Sequence, residues 1–213
     1  MGGSALESPL RIEPLPGLKL IETLLWDGAT YPRLPLHLAR LARSATTFGF
    51  ACDPQAVTAL LPRPEGAARV RLTLDASGPE VTLAPLPAAA PHWRLALAAE
   101  RLSSADPFLR HKTTHRRLYD TARANLPPGM DEVIFANERG EVCEGTITNI
   151  FFDRGQGLRT PPLTSGLLPG VLRAELACPE EPLLLADLPQ VRLWVGNALR
   201  GLIPAQFLPQ ANS

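Results

Sequence analysis

The sequence predicts an α+β fold. Short apolar stretches of strand character recur along the chain and alternate with stretches of helical spacing. A proline-rich break at residues 84–91 separates two halves that each mix both kinds of element. With 213 residues, the chain is long enough for one large or two small domains, each with its own core.

The elements follow in order. Residues 18–26 form an apolar strand ending in Asp27-Gly28, a hairpin signal that predicts a returning strand over 29–34. Leu36, Leu38, Leu41, Ala45 and Phe48 recur at helical spacing, and Gly49 is placed to end that helix. Asp53-Pro54 caps a short helix to about residue 61, residues 68–75 alternate as a strand around arginines, and a Ser77-Gly78 turn leads to a strand at 81–83. Beyond the break, residues 93–99 read as a strand, and an irregular polar stretch leads to a helix capped by Thr113 or Thr114 and running to Asn125. Residues 132–137 are a strand, 138–140 a turn, and 141–153 two strand pieces interrupted at Gly145. A loop over 160–166 precedes a helix over 171–177, and residues 192–195 are the last apolar strand, ending at Gly196-Asn197.

Bulk properties narrow the function classes. Net charge is zero and the pI about 6.9, so no global electrostatic attraction draws the chain to nucleic acid or an anionic membrane, which favours a small-molecule ligand. No apolar run reaches the roughly 18 residues of a membrane span, and residues 1–4 lack the order of a signal peptide, so a cytoplasmic location is expected. Cys52, Cys143 and Cys178 are odd in number and widely spaced, predicting reduced thiols and neither a disulfide framework nor a metal site.

The chain holds two lysines, Lys19 and Lys112, against 19 arginines. Lys112 lies in Arg110-His111-Lys112-Thr113-Thr114-His115-Arg116-Arg117, where neighbouring arginines already supply positive charge. Lysine adds an amine that can lose its proton when buried or crowded by cations and then attack a carbonyl. Lys112 therefore reads as a Schiff-base lysine, the alternative being a solvated charge at a basic helix start.

Three other features carry possible chemistry. Glu144 is a carboxylate in a strand-forming apolar region, either buried against a partner or turned to solvent. The stretch Leu168-Pro169-Gly170-Val171-Leu172 combines glycine with a helix start, suited to a phosphate or simply a capped helix. Arg40 lies on the amphipathic helix of the first half, able to reach an anion or merely solvated. A lysine for an aldehyde, a glutamate for a pyridine nitrogen, and a loop plus arginine for a phosphate together match pyridoxal phosphate.

In these residues the chain resembles the fold-type IV, or class IV aminotransferase, pyridoxal-phosphate enzymes, and among them the aminodeoxychorismate lyase branch. The resemblance runs from about residue 20 to 205. It is carried by Ile21-Glu22-Thr23, by His37-Leu38-Ala39-Arg40-Leu41 with Ser44-Ala45, and by His111-Lys112-Thr113-Thr114 through Tyr119-Asp120. It continues in Asn137 to Val142 with Glu144 and Asn149, in Thr160-Pro161-Pro162 through Gly170, and in Asn197 through Arg200-Gly201. The resemblance implies a two-domain architecture like that of D-amino-acid aminotransferase, with a smaller domain over 1–88, a larger one over 89–213 and the cofactor in the cleft between them. It implies Lys112 as covalent anchor and proton shuttle, Glu144 as partner of the pyridine nitrogen, and Arg40 with the backbone of Val171 and Leu172 as phosphate ligands. Asn197-Ala198 falls where the family often places a hydroxyl residue against the phosphate, and His115 where asparagine is common; His115 and Arg200 are the substrate candidates. The implied reaction is release of pyruvate from 4-amino-4-deoxychorismate to give 4-aminobenzoate, by a homodimer. The alternatives are an aminotransferase acting on branched-chain or D-amino acids, and a non-catalytic protein of the same fold.

Overall fold

The computed structural model describes residues 11–209, so residues 1–4, read above for a leader, and the outer ends of both expected domains lie outside the described residues. In the first half, β1 (Leu20–Trp26), β2 (Ala68–Asp75) and β3 (Gly78–Ala84) form an antiparallel sheet in that order. Strand alternation turns Leu20, Leu24 and Trp26 of β1 and Val70, Leu72 and Leu74 of β2 inward. There they meet Leu41, Ala45 and Phe48 of α1 (Leu34–Phe48) and Val57 of α2 (Pro54–Leu60) in one apolar cluster. Gly49 ends α1 in the left-handed region at φ 72°, and Asp53 caps α2 by accepting from the Gln55 amide.

The returning strand expected over 29–34 does not form. The Asp27 carboxylate accepts from the Ala29 and Thr30 amides, curling the chain into a turn that leads directly to α1 at Leu34. The edge of β1 pairs instead with β2, from Leu20 opposite Leu74 to Trp26 opposite Ala68.

The second half closes a six-stranded barrel from β4 (Trp93–Leu102), β5 (Glu132–Asn137), β6 (Val142–Gly145), β7 (Asn149–Asp153), β8 (Arg192–Asn197) and β9 (Gly201–Phe207). β4 lies parallel to both β5 and β9, and the other pairs are antiparallel. Closure removes free strand edges. β8 is thus not the last strand: the chain turns at residues 198–200 and β9 seals the barrel, with Pro204, which has no N–H to donate, opposite Trp194. Trp93, Leu95, Ile134, Ile150, Phe152 and Val195 fill one cluster, while α3 (Arg117–Ala124) covers a second built on Phe135 and Leu167.

Neither Thr113 nor Thr114 caps α3, which begins only after Arg116 and has no side-chain cap. Both threonines instead join the lysine segment to the first sheet: Thr113 bridges Leu20, and the Thr114 hydroxyl accepts from the Lys19 amide. Among the described residues no helix is long and apolar enough to cross a membrane, and no group of three or more His, Cys, Asp or Glu could hold a metal. Cys143 is buried, Cys52 and Cys178 are half-buried, and all three are free thiols.

Candidate active site

Lys112 sits where the two halves meet, its carbonyl accepting from the Ile21 amide of β1 at 2.7 Å. Burial, then the charges of Arg40 and Arg116, bring its amine down to about 8, with Glu22 and Glu144 opposing. Four charged side chains from β1, α1, β6 and the start of α3 thus bear on one amine. Of the arginines crowded against it in the sequence, Arg116 is among the largest of its perturbing charges, while Arg110 and Arg117 are not. Lys19 differs: ion pairs to Glu80 at 2.8 Å and Asp75 at 3.3 Å raise its pKa and hold it as an ammonium.

Glu144 faces inward from β6 and is only 6% exposed, which settles its open reading in favour of a buried acid. Burial pushes its carboxyl up to about 7, against a hydrogen bond from Tyr119 Oη to Oε1 at 2.7 Å and one from the Leu168 amide to Oε2 at 3.1 Å. Tyr119 is itself raised well above the usual phenol range by burial and by Glu144, so it stays a neutral donor. The turn after Glu144 hangs on Glu132, fully buried, whose carboxylate accepts from the Thr146 and Thr148 hydroxyls and the Ile147 amide.

Arg40 is 5% exposed, so it is not a solvated helix residue. Its Nε and Nη2 donate to Glu22 at 2.8 and 2.6 Å, and Glu22 also accepts from His37 Nδ1 at 2.6 Å.

α4 (Val171–Leu176) packs on both α1 and β8. Arg33, at the start of α1, joins them by donating to Glu175 of α4 and to the Ala198 carbonyl. The amides of Val171 and Leu172 open α4 beside Gly170, where a Cβ would lie 1.8 Å from Asn149 Oδ1, so only glycine lets the Asn149 side chain cross to the Leu168 carbonyl. The Asn197 side chain is committed to its own turn, donating to the Ile147 carbonyl and accepting from the Leu199 and Arg200 amides. Of the substrate candidates, the His115 ring lies 4.9 Å from that of Phe108, while Arg200 donates to the Ala88 carbonyl and stacks over Trp93.

Glu22, His37, Tyr119 and Glu132 received no role from the sequence. The readable signal was charge in apolar positions: Glu22 shares a strand face with Leu20, Leu24 and Trp26, and His37 and Arg40 lie on the buried stripe of α1.

A half-buried lysine of lowered pKa, a buried acid with two fixed donors and a buried arginine thus meet at one place, since Glu144 and Arg40 both act on the Lys112 amine. Residues 19–206 match the amino-transferase class IV family, and the chain belongs to it. A candidate aminodeoxychorismate lyase of Schizosaccharomyces pombe is 31% identical over 169 residues, covering 74% of this chain and 72% of that protein. A candidate amino-acid aminotransferase of Mesorhizobium loti has a solved structure that superposes with a TM-score of 0.84 at 47% identity, covering 90% of this chain and all of that one. The 4-amino-4-deoxychorismate lyase of Pseudomonas aeruginosa superposes with a TM-score of 0.74 at 25% identity, covering 89% of this chain and 83% of that one. The fold is that of the fold-type IV aminotransferases, and the family's cofactor is pyridoxal phosphate. The donor set suits that cofactor: an amine for its aldehyde, a carboxylate for its ring nitrogen, and a guanidinium edge with helix-start amides for its phosphate.

Proposed function

We propose that the chain is a pyridoxal-phosphate-dependent 4-amino-4-deoxychorismate lyase, forming 4-aminobenzoate and pyruvate. The carrying observation is Lys112, an amine brought to about 8 by burial beside Arg40 and Arg116, with Glu144 bearing on it as well. The S. pombe relative supports the lyase reading, and so does a face of β2 that carries two cations. Arg69 and Arg71 share that face, and Arg71 is lowered by burial and by the charges of Arg116 and Arg69 against an opposing Asp120, an arrangement suited to a substrate with two carboxylates. His115 and Arg200 remain candidates for the outer substrate contacts.

When bound, pyridoxal phosphate supplies an aldehyde that condenses with amines and a ring that accepts the electron pair left by a departing proton. Arg40, the Val171 and Leu172 amides and the backbone at Asn197-Ala198 would hold the phosphate. Glu144 would hold the proton of the cofactor's ring nitrogen, with Tyr119 Oη and the Leu168 amide fixing that carboxylate in place. Lys112 Nζ would anchor the cofactor's aldehyde and, once free, would take the proton from the substrate carbon bearing the amine. The C–O bond to the enolpyruvyl group would break as the substrate ring becomes aromatic, and Lys112 would return the proton to the departing group, which leaves as pyruvate.

The second reading is an aminotransferase acting on branched-chain or D-amino acids, supported by the M. loti relative; here Lys112 returns the proton to a different carbon. We place the domain boundary in the 84–91 segment, with the cofactor between a 1–88 and an 89–213 domain of a cytoplasmic homodimer. The test supplies chorismate, glutamine and an aminodeoxychorismate synthase and follows 4-aminobenzoate by fluorescence, beside a panel of L- and D-amino acids with keto acids. Formation of 4-aminobenzoate faster than any amino transfer is expected. Efficient transamination without 4-aminobenzoate would reverse the order, and colourless protein that binds no cofactor would return the non-catalytic alternative.

A further inference from the structure

We propose that Glu22 and His37 are positioning residues that lock the Arg40 guanidinium with one edge turned outward to grip the cofactor's phosphate. The proposal rests on the reading of Arg40 as a phosphate ligand.

A carboxylate on the inner face of β1 is out of place by simple alternation, because its neighbours there are Leu20, Leu24 and Trp26. Left unpaired it would be strongly destabilising. On α1, residues three apart share a face, so His37 and Arg40 both reach Glu22. Burial alone would raise the Glu22 carboxyl, but Arg40 and His37 outweigh it and hold it at about 2. Stability does not call for such a group, since apolar side chains of similar volume fill a core as well or better than a buried ion pair. What the pair provides is geometry.

A guanidinium presents its donors along distinct edges. Glu22 takes the Nε and Nη2 edge in two parallel bonds, leaving the Nη1 and Nη2 edge for another anion. His37 donates from Nδ1 to the same Oε2 that receives Nη2, which prevents the carboxylate from swinging. Its Nε2 has no partner and the ring lines a cavity of about 10 Å³ among Leu24, Leu38, Leu41 and Leu72, so Glu22 is its single polar tie. The array also touches the reactive lysine: the Ile21 amide, one residue before Glu22, holds the Lys112 carbonyl. The opposite charges of Arg40 and Glu22 both act on the Lys112 amine.

Binding of pyridoxal phosphate and of pyridoxal, which lacks the phosphate, is measured on the full chain by fluorescence titration for the wild type, Glu22→Gln, His37→Gln and Arg40→Gln. Freeing the arginine rotamers restores about 2 kcal/mol of side-chain entropy, so Glu22→Gln should weaken pyridoxal phosphate about 30-fold and pyridoxal little. His37→Gln should weaken pyridoxal phosphate about three- to tenfold, the range of one hydrogen bond, and decides the matter if Glu22→Gln does not fold. Glu22→Gln should also move the pH midpoint of cofactor capture downward, because the lost negative charge had favoured the Lys112 ammonium. An equal loss for both ligands, or no loss in either variant, would overturn the positioning role. If Arg40→Gln leaves the preference for the phosphorylated ligand unchanged, the phosphate reading of Arg40 fails instead.

Discussion

Replacing Tyr119 by phenylalanine removes one oxygen and leaves the ring edge-on to Phe135, 5.1 Å away, so the change acts almost wholly on Glu144. Two donors hold that carboxylate, the Tyr119 hydroxyl at 2.7 Å and the Leu168 amide at 3.1 Å, against a burial that raises it to about 7. A hydrogen bond to a charged acceptor contributes about 1.5–3 kcal/mol, so its loss moves the Glu144 titration upward by roughly 1–2 pH units. The sign follows from the acid: with its pKa raised, more Glu144 is protonated and neutral at pH 7, and less can balance a protonated ring nitrogen. Turnover at pH 7 should fall about ten- to hundredfold if the bond is kept through the transition state. The acid limb of the rate profile should move toward alkaline pH by the same 1–2 units, roughly. Steady-state rates from pH 5.5 to 9.5, with thermal unfolding as the folding control, measure both. Rates within about twofold of wild type and an unmoved acid limb would refute the idea that Tyr119 holds Glu144.

Borohydride reduction of the holoprotein should fix the cofactor on Lys112 and not on the ion-paired Lys19, as peptide mapping will show, and Lys112→Ala should abolish turnover while keeping the fold. Because the folded pKa of Lys112 is depressed to about 8, its stabilising contribution is present above about 10.5 and lost as pH falls through 8. Lys112→Met apoprotein should therefore exceed wild type at pH 7 by up to about 3 kcal/mol in urea denaturation, a gain that shrinks toward pH 10.5. Glu144→Gln should keep much of the cofactor and lose more than about tenfold in rate, roughly 1.4 kcal/mol in barrier; a smaller loss removes it as the ring-nitrogen partner. Glu132→Gln turns an amide group toward the Thr146 and Thr148 hydroxyls and the Ile147 amide, and should destabilise the fold by about 3 kcal/mol in the same assay.

Local pattern was enough for most elements. The helical stripe through Leu41, Ala45 and Phe48, the Asp53 cap, and the strands around Val70 and Ile134 appear where spacing and turn chemistry place them. The scarcity of lysine singled out Lys112, and the glycine before Val171 marked a helix start. Long-range closure was not legible. Asp27-Gly28 looked like a hairpin, but the partner of β1 lies more than forty residues on, in β2. β9 went unseen because Pro204 interrupts its strand pattern, and its pairing with β4, which closes the barrel, joins residues more than a hundred positions apart. The same limit governed the chemistry. Sequence proximity correctly set Arg116 beside Lys112, whereas the folded chain brings Arg40 and Glu22 from the first half and Glu144 from β6 to bear on it as well. Residue type and spacing determined which groups could react. Their burial, and the charges each one meets, came from tertiary packing, because a pKa responds to what lies within a few ångströms in space and not to what lies next in the chain.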